Sequence, residues 1–264
     1  MLIVAERINS SRKAINEAIQ AKDADFIRGE AKAQAEAGAS YIDVNAGSFV
    51  EQETEYLCWL VETVQGATDL PLCIDSPDPA AIAAALEVVK GPVMVNSISL
   101  EKARMEGMLP LVKKYHTKII ALCQSDEGMA NTADDKLKVA EKMVEILTGE
   151  GVARDDIYID PLVYPVATDS QSAVASIEAI GRIMREIPGV HTTGGLTNVS
   201  FGLPARKLIN RTFLVTAMAH GLDSAIIDPT DRGLMANLVA AEALLNRDKF
   251  CMGYIKAFRD GKLS

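Results

Sequence analysis

The sequence contains little of several residue types, and each shortage excludes a class of protein. Only 5% of its 264 residues are aromatic, and its four cysteines include no Cys-x-x-Cys pair. We therefore expect a cytoplasmic protein without a disulfide framework, whose core is filled by Ala, Val, Ile and Leu. No run approaches the ~20 apolar residues that a membrane span needs. The first apolar stretch is too short for a signal peptide.

Positive charge and the common catalytic or metal-binding arrangements are also lacking. The net charge of −9 argues against binding to nucleic acid. The three histidines, His116, His191 and His220, have no partners at metal-ligand spacing, so no metal site is predicted. The serines have no nearby His–Asp arrangement, which makes nucleophilic serine catalysis an unsuitable interpretation.

What the sequence does contain is a series of apolar stretches that run directly into an Asp, Asn or Gln. Seven such stretches cover residues 41–45, 70–75, 93–96, 118–124, 157–160, a segment ending at 195–198, and 225–228, and an eighth stretch, 2–6, opens the chain. Continuous apolar runs are typical of parallel strands that helices cover on both faces. In a parallel barrel, the carboxyl ends of the strands form the active site.

Helical patterns separate these strands. They cover residues 24–37, 52–65, 78–89, 101–114, 133–147, 172–187, 208–219 and 233–245, with a short final helix predicted within 249–264. Asp78 followed by Pro79 is a strong helix start. Eight strands alternating with helices predict a single-domain α/β structure, a (β/α)8 TIM barrel over residues 1–264. The alternative, a doubly wound open sheet, would place G-x-G-x-x-G after the first strand, where the chain has Glu6-Arg-Ile-Asn9.

Three of the polar strand ends, Asp75, Asn96 and Asp160, should meet at the mouth of this barrel. A 2-amino-4-oxo-pyrimidine ring, as in a pterin or guanine, presents adjacent N–H donors on one edge. A carboxylate accepts two such bonds, and a carboxamide pairs with a ring nitrogen beside a carbonyl oxygen. Two Asp and one Asn can therefore bind the polar rim of a pterin. The alternative is that these residues cap the helices that follow them.

The most specific segment is 194–204, Gly-Gly-Leu-Thr-Asn-Val-Ser-Phe-Gly-Leu-Pro, where two glycines allow close approach of the backbone to a ligand. With this segment and other motifs in order along essentially the whole chain, the sequence resembles the pterin-binding barrel family. It is similar in particular to the methyltetrahydrofolate:corrinoid protein methyltransferases and to the folate domain of cobalamin-dependent methionine synthase. The other motifs are Glu6-Arg-Ile-Asn9, Asp43-Val-Asn45, Ile74-Asp-Ser76, Val95-Asn-Ser97 and Ile159-Asp-Pro161.

The resemblance implies roles for individual residues. Asp75, Asn96 and Asp160 match the positions that hold the pterin ring, together with Gly195. Asn198 matches the Asn that hydrogen-bonds near N5 of the folate and is the catalytic candidate. The implied supporting residues are Glu6, Asp43, Asn45, Ser97, Phe201 and Arg206. Phe201 stands where some members carry a Gln beside N5.

The resemblance also implies an activity, which is transfer of a methyl group between N5 of (methyl)tetrahydrofolate and the cobalt of a corrinoid. The direction of transfer stays open, and transfer from a methylated corrinoid to tetrahydrofolate is one possibility. The corrinoid-binding signature D-x-H-x-x-G is absent from the sequence. We therefore expect the corrinoid to arrive on a separate partner protein, and the family resemblance implies a homodimer.

Two other functions share part of this pattern. Dihydropteroate synthase shares the barrel and the pterin-binding Asp/Asn set, but it needs cationic groups around a diphosphate, where this chain has Thr192-Thr-Gly-Gly195. A non-catalytic pterin-binding subunit is the other alternative, and the intact segment around Asn198 argues against it. Gln124 and Asp228 are polar strand ends to which the sequence assigns no role.

Overall fold

The computed structural model describes residues 1–263, and its central feature is a barrel of parallel strands. The strands are β1 (Leu2–Asn9), β2 (Tyr41–Asn45), β3 (Leu72–Asp75), β4 (Val93–Leu100), β5 (Lys118–Ser125), β6 (Gly128–Met129), β7 (Ile157–Asp160), β8 (His191–Thr192) and β9 (Ser224–Ile227). Their order around the barrel is β8-β7-β5-β4-β3-β2-β1-β9, and β6 pairs with β5 outside this order. The ring closes where Ile226 N donates to Gly194 O at 2.9 Å. The predicted (β/α)8 barrel is confirmed.

Helices cover the outside of the barrel at the positions that the sequence predicts. They are α1 (Lys13–Gln20), α2 (Ala24–Glu36), α3 (Glu53–Gln65), α4 (Pro79–Val88), α5 (Lys102–Tyr115), α6 (Ala133–Gly149), α7 (Ser172–Glu186), α8 (Arg206–Ala219), α9 (Arg232–Leu244) and α10 (Met252–Arg259). Asp78 caps α4 as expected, because its Oδ1 accepts from Ala80 N at 2.9 Å. The short helix α1 was not predicted. No helix within residues 1–263 is long and apolar enough to cross a membrane.

The predicted strand ending at Asn198 is wrong. Strand β8 contains only His191 and Thr192, and Asn198 lies further on, in a 3-10 helix over Leu196–Ser200. The reason is the pair Gly194 and Gly195, because glycine has low strand propensity and marks places where two backbones approach closely. Here the pair forms the seam with β9. A smaller correction concerns β5, which continues past Gln124 into the hairpin with β6.

Alternation along the strands divides the apolar side chains between two cores. One core lies inside the barrel and the larger one lies between the strands and the helices. The inner core consists of Val4, Tyr41, Cys73, Met94, Ile120 and Tyr158. Because these side chains fill the lower and middle levels of the barrel, the polar residues Glu6, Asp43, Asp75, Asn96 and Asp160, each two positions later on its strand, lie toward the carboxyl-end mouth.

Candidate active site

The strand register aligns Asn45, Asp75 and Asn96, and Asp160 lies two residues beyond Tyr158, which occupies the same register position on β7. Asn45 pairs with Asp75, Asp75 pairs with Asn96, and Leu122 pairs with Asp160 on the opposite side. Asn45 Nδ2 donates to Asp75 Oδ2 at 3.0 Å. Four inward-facing polar groups on neighbouring or facing strands therefore surround the mouth, as the sequence predicts.

The orientation of the Asn45 amide is determined by its surroundings. Its Oδ1 accepts from Ser10 Oγ and from Gly47 N, both at 3.0 Å. Because the oxygen is occupied by two donors, the nitrogen faces Asp75. Asn45 thus holds one oxygen of Asp75 and leaves the other available.

The carboxylates of Asp75 and Asp160 are desolvated but not neutralised by a direct ion pair. Burial raises the pKa of each to about 6. A hydrogen bond from Asn45 and the charge of Arg104 oppose the rise in the pKa of Asp75, and the Leu162 amide and Lys136 oppose it for Asp160. At neutral pH both groups are mainly ionised acceptors in a site with little water.

The capping interpretation of these residues does not hold. The side chains that cap helices in residues 1–263 are those of Asp23, Asp78, Thr132 and Asp231. Asp160 instead accepts from the amide of Leu162 at 2.7 Å, within its own turn. Neither carboxylate is committed to a helix terminus, and so both remain able to accept from a ligand.

Asp43 lies one level below the mouth and is only 3% exposed. Its Oδ2 has no hydrogen-bond partner among the described residues. Burial and then the neighbouring charge of Asp75 raise the pKa of Asp43 well above its ordinary value. A neutral carboxyl at this position can donate a hydrogen bond, which an ionised one cannot.

The glycines beside Asn198 leave no space for a side chain. A Cβ on Gly195 would lie 3.1 Å from Asn198 Nδ2, and a Cβ on Gly194 would lie 3.2 Å from Asp160 Oδ1. Both distances are shorter than ordinary van der Waals contact. The seam between β8 and β9 thus brings Asn198 and Asp160 close to the backbone, and a larger residue would displace one of them.

Arg206 holds the loop that carries Asn198. Its Nε donates to Ser200 Oγ at 3.0 Å and its Nη2 donates to Thr197 O at 2.9 Å. The guanidinium also lies 4.3 Å from the centroid of the Phe201 ring. The loop that follows the 3-10 helix is therefore fixed by one cation, while Phe201 itself stays half exposed at the mouth.

Glu6 lines a cleft of about 400 Å³ beside this loop. Thr197 Oγ1 donates to Glu6 Oε1 at 3.4 Å. Burial raises the pKa of Glu6 to about 7, against the opposing charge of Arg12. Asp228 borders the same cleft and accepts from Arg7 Nη1 at 3.1 Å. The sequence treats Glu6 only as a supporting residue, whereas the structure gives it a pKa suited to moving protons near neutrality.

A second cleft of about 320 Å³ opens on the other side of Asp75. Ser97, Arg104 and Gln124 line it. Arg104, and Lys136 behind Asp160, were missed by sequence reasoning, because a cation on an amphipathic helix ordinarily faces solvent. Their contacts are to backbone carbonyls, which have no sequence signature.

The histidines are all remote from the mouth. His191 begins β8, while His116 and His220 follow the carboxyl ends of α5 and α8, at the opposite end of the barrel. Within residues 1–263 no group of three His, Cys, Asp or Glu side chains could hold a metal ion. The mouth thus offers carboxylates and amides but no imidazole.

Comparison with known proteins gives matches over most of the chain. A family model described as pterin binding enzyme matches residues 5–228. A methylcorrinoid:tetrahydrofolate methyltransferase of Eubacterium limosum is 42% identical over 268 residues, covering 100% of this chain and 98% of that protein. Methionine synthase of Mycobacterium tuberculosis is 32% identical over 240 residues, which is 86% of this chain but 20% of that protein.

Solved structures share the architecture at much lower identity. A dihydropteroate synthase of Xanthomonas albilineans superposes with a TM-score of 0.65 at 17% identity, covering 94% of this chain and 92% of the other. A 7,8-dihydropteroate synthase of Vibrio fischeri ES114 gives 0.69 at 12%, covering 93% and 92%. At these identities the likeness establishes the fold alone. The family match and the full-length relative establish more: the chain belongs to the pterin-binding enzyme family.

Proposed function

We propose that this protein transfers a methyl group from a methylated corrinoid, carried on a separate protein, to N5 of tetrahydrofolate. The observation that carries the proposal is the pair of carboxylates at the mouth, half-buried Asp75 and buried Asp160. No cation of residues 1–263 lies within 4.0 Å of either, so their free oxygens can accept N–H groups of a ligand. The full-length relative, whose name gives this direction of transfer, supports the reaction.

In this proposal Asp75, Asn96 and Asp160 bind the polar rim of the pterin ring. The carboxylates accept from ring and amino N–H groups, and such charge-assisted bonds are stronger than neutral ones. Asn96 supplies both a donor and an acceptor, and Ser97 borders the same rim. The absence of a side chain on Gly195 lets the ring approach the backbone at the seam.

The residues near N5 accept the hydrogen bond and then the proton of its N–H group. The methylated corrinoid supplies the methyl group and retains the electron pair of the broken bond. As the N5 lone pair forms the new bond, N5 becomes cationic and must lose its hydrogen. Asn198 Oδ1 accepts the hydrogen bond from N5–H, and the adjoining cleft leads to Glu6, whose pKa of about 7 allows it to receive the proton through water. Asp43, whose pKa burial raises, supports the ring from below.

The corrinoid in this scheme belongs to a partner protein that docks over the mouth. An axial ligand from this chain to the cobalt of a corrin would have to lie at the carboxyl end of the barrel, and imidazole is the commonest metal ligand. All three histidines lie at the other end. Half-exposed Phe201 and exposed Val50 and Met129 provide apolar contacts around the mouth for such a partner.

The test is a transfer assay with the purified protein. Tetrahydrofolate and a methylated corrinoid protein are mixed, loss of the methylated corrinoid is followed by absorbance, and 5-methyltetrahydrofolate is identified by mass spectrometry. The proposal predicts equal amounts of methyl group lost and gained, dependent on the enzyme. Binding of tetrahydrofolate without transfer to any corrinoid would support the non-catalytic alternative, and condensation of a pterin diphosphate with p-aminobenzoate would support the synthase.

We further propose that the protein is a homodimer that pairs through its C-terminal segment. Six large apolar side chains in or next to α10 and the end of α9 are between 38% and 92% exposed: Leu244, Phe250, Met252, Tyr254, Ile255 and Phe258. Monomeric soluble proteins rarely expose apolar patches of this kind, and a two-fold axis would bury the same patch on both copies.

A cytoplasmic location fits the four free cysteines, and we take the pterin-binding domain to span 1–264.

Sedimentation velocity tests the dimer. We expect the wild type to sediment as a dimer and the double variant Phe250→Glu/Phe258→Glu to sediment as a monomer. Val174→Glu is the matched control, because Val174 is also exposed, at 47%, but lies on α7. A wild-type monomer at micromolar concentration, or a double variant that remains dimeric, would contradict this assignment.

A further inference from the structure

Two cations carried by helices lie behind the two carboxylates of the mouth, and their contacts follow one pattern. Arg104 on α5 donates through Nη2 to Ser76 O at 2.8 Å and through Nη1 to Pro77 O at 2.5 Å. These are the first and second residues after Asp75. Lys136 on α6 donates to Leu162 O at 3.1 Å and also to Pro161 O. These are the first and second residues after Asp160.

Lys136 is unusual because it is a buried ammonium without an anionic partner. It is 1% exposed, and no acidic side chain of residues 1–263 lies within 4.0 Å of its Nζ. Its Nζ lies 5.2 Å from the centroid of the Tyr164 ring. Desolvation lowers the pKa of Lys136. Burial of an unpaired charge costs several kcal/mol in general. Carbonyls and an aromatic ring alone compensate this cost poorly, which indicates that Lys136 has a role other than packing.

We propose that Arg104 and Lys136 are positioning residues for pterin recognition, each fixing the turn after one carboxylate and placing a positive charge behind it without occupying its oxygens. The inference rests on the proposed function, because it assumes that Asp75 and Asp160 bind the pterin. A direct ion pair would neutralise the carboxylate equally well, but it would also use the oxygens that must accept from the ligand.

The geometry of the turn after Asp160 supports this role. Leu162 has a φ of +60°, which is unfavourable for a branched side chain. The turn is held from both sides, because Asp160 Oδ1 accepts from Leu162 N while Lys136 binds Leu162 O. Loss of the ammonium would free the carbonyl side, and the carboxylate would lose its fixed direction with it.

Arg104 extends the same arrangement to Asn96. Its Nε donates to Ser97 O at 2.8 Å, directly after Asn96. One guanidinium therefore binds both the turn after β3 and the backbone within β4, in a planar fork of donors that suits several carbonyls at once. Between them, Arg104 and Lys136 contact the backbone after each of the three residues assigned to the ring.

The charged groups around each carboxylate determine how far its pKa should rise when a cation is removed. Asp160 faces Lys136, Cys123 and Tyr164, and burial raises the pKa of both Cys123 and Tyr164 to about 12, so only Lys136 is charged near neutrality. Asp160 would then lose its one opposing charge with Lys136.

Asp75 is surrounded by a different set of groups. Arg104 faces it from α5, while the acidic groups of Asp43 on β2 and Glu53 on α3 face it from the other side. Glu53 raises the pKa of Asp75, and burial raises the pKa of Asp43 well above its ordinary value. Arg104 is thus the cation that opposes both burial and the charge of Glu53.

The experiment measures tetrahydrofolate affinity between pH 5 and 9 in Lys136→Met, which keeps length and loses charge. We expect the acid midpoint of binding to rise by about one unit, so that affinity falls about fivefold at pH 6 and stays within about twofold at pH 8.5. Lys136→Arg should keep the wild-type midpoint. Lys138→Met is the matched control, because Lys138 is exposed on the same helix, and its midpoint should not move.

Arg104→Met provides an independent test, with exposed Lys102→Met on the same helix as its control. The same rise in midpoint is expected, now through Asp75, and this variant keeps the inference testable if Lys136→Met does not fold. Wild-type binding with an unmoved midpoint in the folded variants would overturn the inference alone. Failure of the wild type to bind tetrahydrofolate would instead overturn the proposed function.

Discussion

The two ends of the barrel differ in how their ionisable side chains are paired. At the amino-terminal end, several ionisable groups near the strand starts have charged partners. Lys118 Nζ lies 2.9 Å from Asp156 Oδ1, and His191 bridges Asp223 Oδ2 at 2.6 Å and Asp155 Oδ1 at 3.2 Å. At the carboxyl end, Asp228 pairs with Arg7, but Glu6, Asp75 and Asp160 have no cation of residues 1–263 within 4.0 Å.

This difference separates stability from function within one fold. The paired groups at the amino-terminal end lower the free energy of the folded state, and the His191 ring also stacks on Tyr158 at 4.7 Å. The groups at the mouth raise the free energy of the folded state, because the desolvation of Asp75, Asp160 and Glu6 outweighs the hydrogen bonds and charges that oppose it. In a parallel barrel, the functional groups are expected at the carboxyl ends of the strands, and the stabilising contacts are expected at the amino-terminal ends.

The largest effect should come from the mouth, at Asn198. In Asn198→Ala we expect the rate of methyl transfer to fall by about 10²–10³-fold, because a positioned hydrogen-bonding group at the reacting atom is worth that much. Tetrahydrofolate affinity should fall only a few-fold, since the ring contacts remain. Single-turnover transfer and equilibrium binding are measured separately.

Asn237→Ala is the control for this variant, because Asn237 is exposed on α9. A rate within twofold of wild type in Asn198→Ala would remove Asn198 from the reaction. Equal losses in rate and in affinity would assign Asn198 to ring binding instead. The carboxyl end would then have no catalytic residue to contrast with the amino-terminal end.

A smaller effect is expected for Asp160→Asn, which should weaken tetrahydrofolate binding but stabilise the folded protein. Tetrahydrofolate affinity at pH 7.5 should fall by about 10–100-fold, because a charge-assisted bond contributes about 1.5–3 kcal/mol. The free energy of unfolding should rise at the same pH by about 1–3 kcal/mol, since the variant removes a desolvated charge. Isothermal calorimetry and chemical denaturation measure the two quantities.

The sign of the stability effect follows from the raised pKa of Asp160, which is about 6 in the folded protein. Wild-type stability is fully present below the unfolded pKa of about 4 and is lost as pH rises through the folded value. The difference between variant and wild type should therefore open between pH 4 and 7. Asp169→Asn, in an exposed loop, is the control. Loss of stability in Asp160→Asn at pH 7.5 would show that this carboxylate belongs to the framework.

The sequence predicts the mouth better than it predicts what surrounds the mouth. Asp75, Asn96 and Asp160 could be found because an apolar strand that ends in a polar residue leaves a periodic signature, and parallel strands end at one edge. Asn198 was placed on the correct segment but on the wrong element. Its position depends on the seam between Gly194 and β9, which is a contact between residues far apart in the chain.

The supporting cations could not be predicted for a different reason. Lys136 lies in a helix of alternating charged and apolar residues, where a lysine ordinarily faces water. Its partners are carbonyls of residues 25 and 26 positions away. Every residue has a carbonyl, so such contacts do not alter side-chain composition, and only the folded backbone reveals them. The same is true of the pairs at the amino-terminal end, which depend on where each strand begins.

The smallest effect should come from the amino-terminal end, at His191. Hydrogen bonding to Asp223 raises the pKa of His191 above its ordinary value. These contacts therefore stabilise the fold fully below the unfolded pKa of about 6.5, and the contribution is lost as pH rises through the folded value. In His191→Gln we expect the free energy of unfolding to fall by about 1 kcal/mol at pH 5.5 and by less at pH 9.

The pH dependence of this variant distinguishes the two ends directly. With His191→Gln the difference from wild type should close as pH rises, whereas with Asp160→Asn it should open, although both groups have raised pKa values. The histidine is charged when stabilising and the carboxylate is charged when destabilising. His220→Gln, at an exposed site on the same end of the barrel, should show neither trend. A constant loss in His191→Gln from pH 5.5 to 9 would mean that stacking on Tyr158, and not the paired charge, stabilises that end.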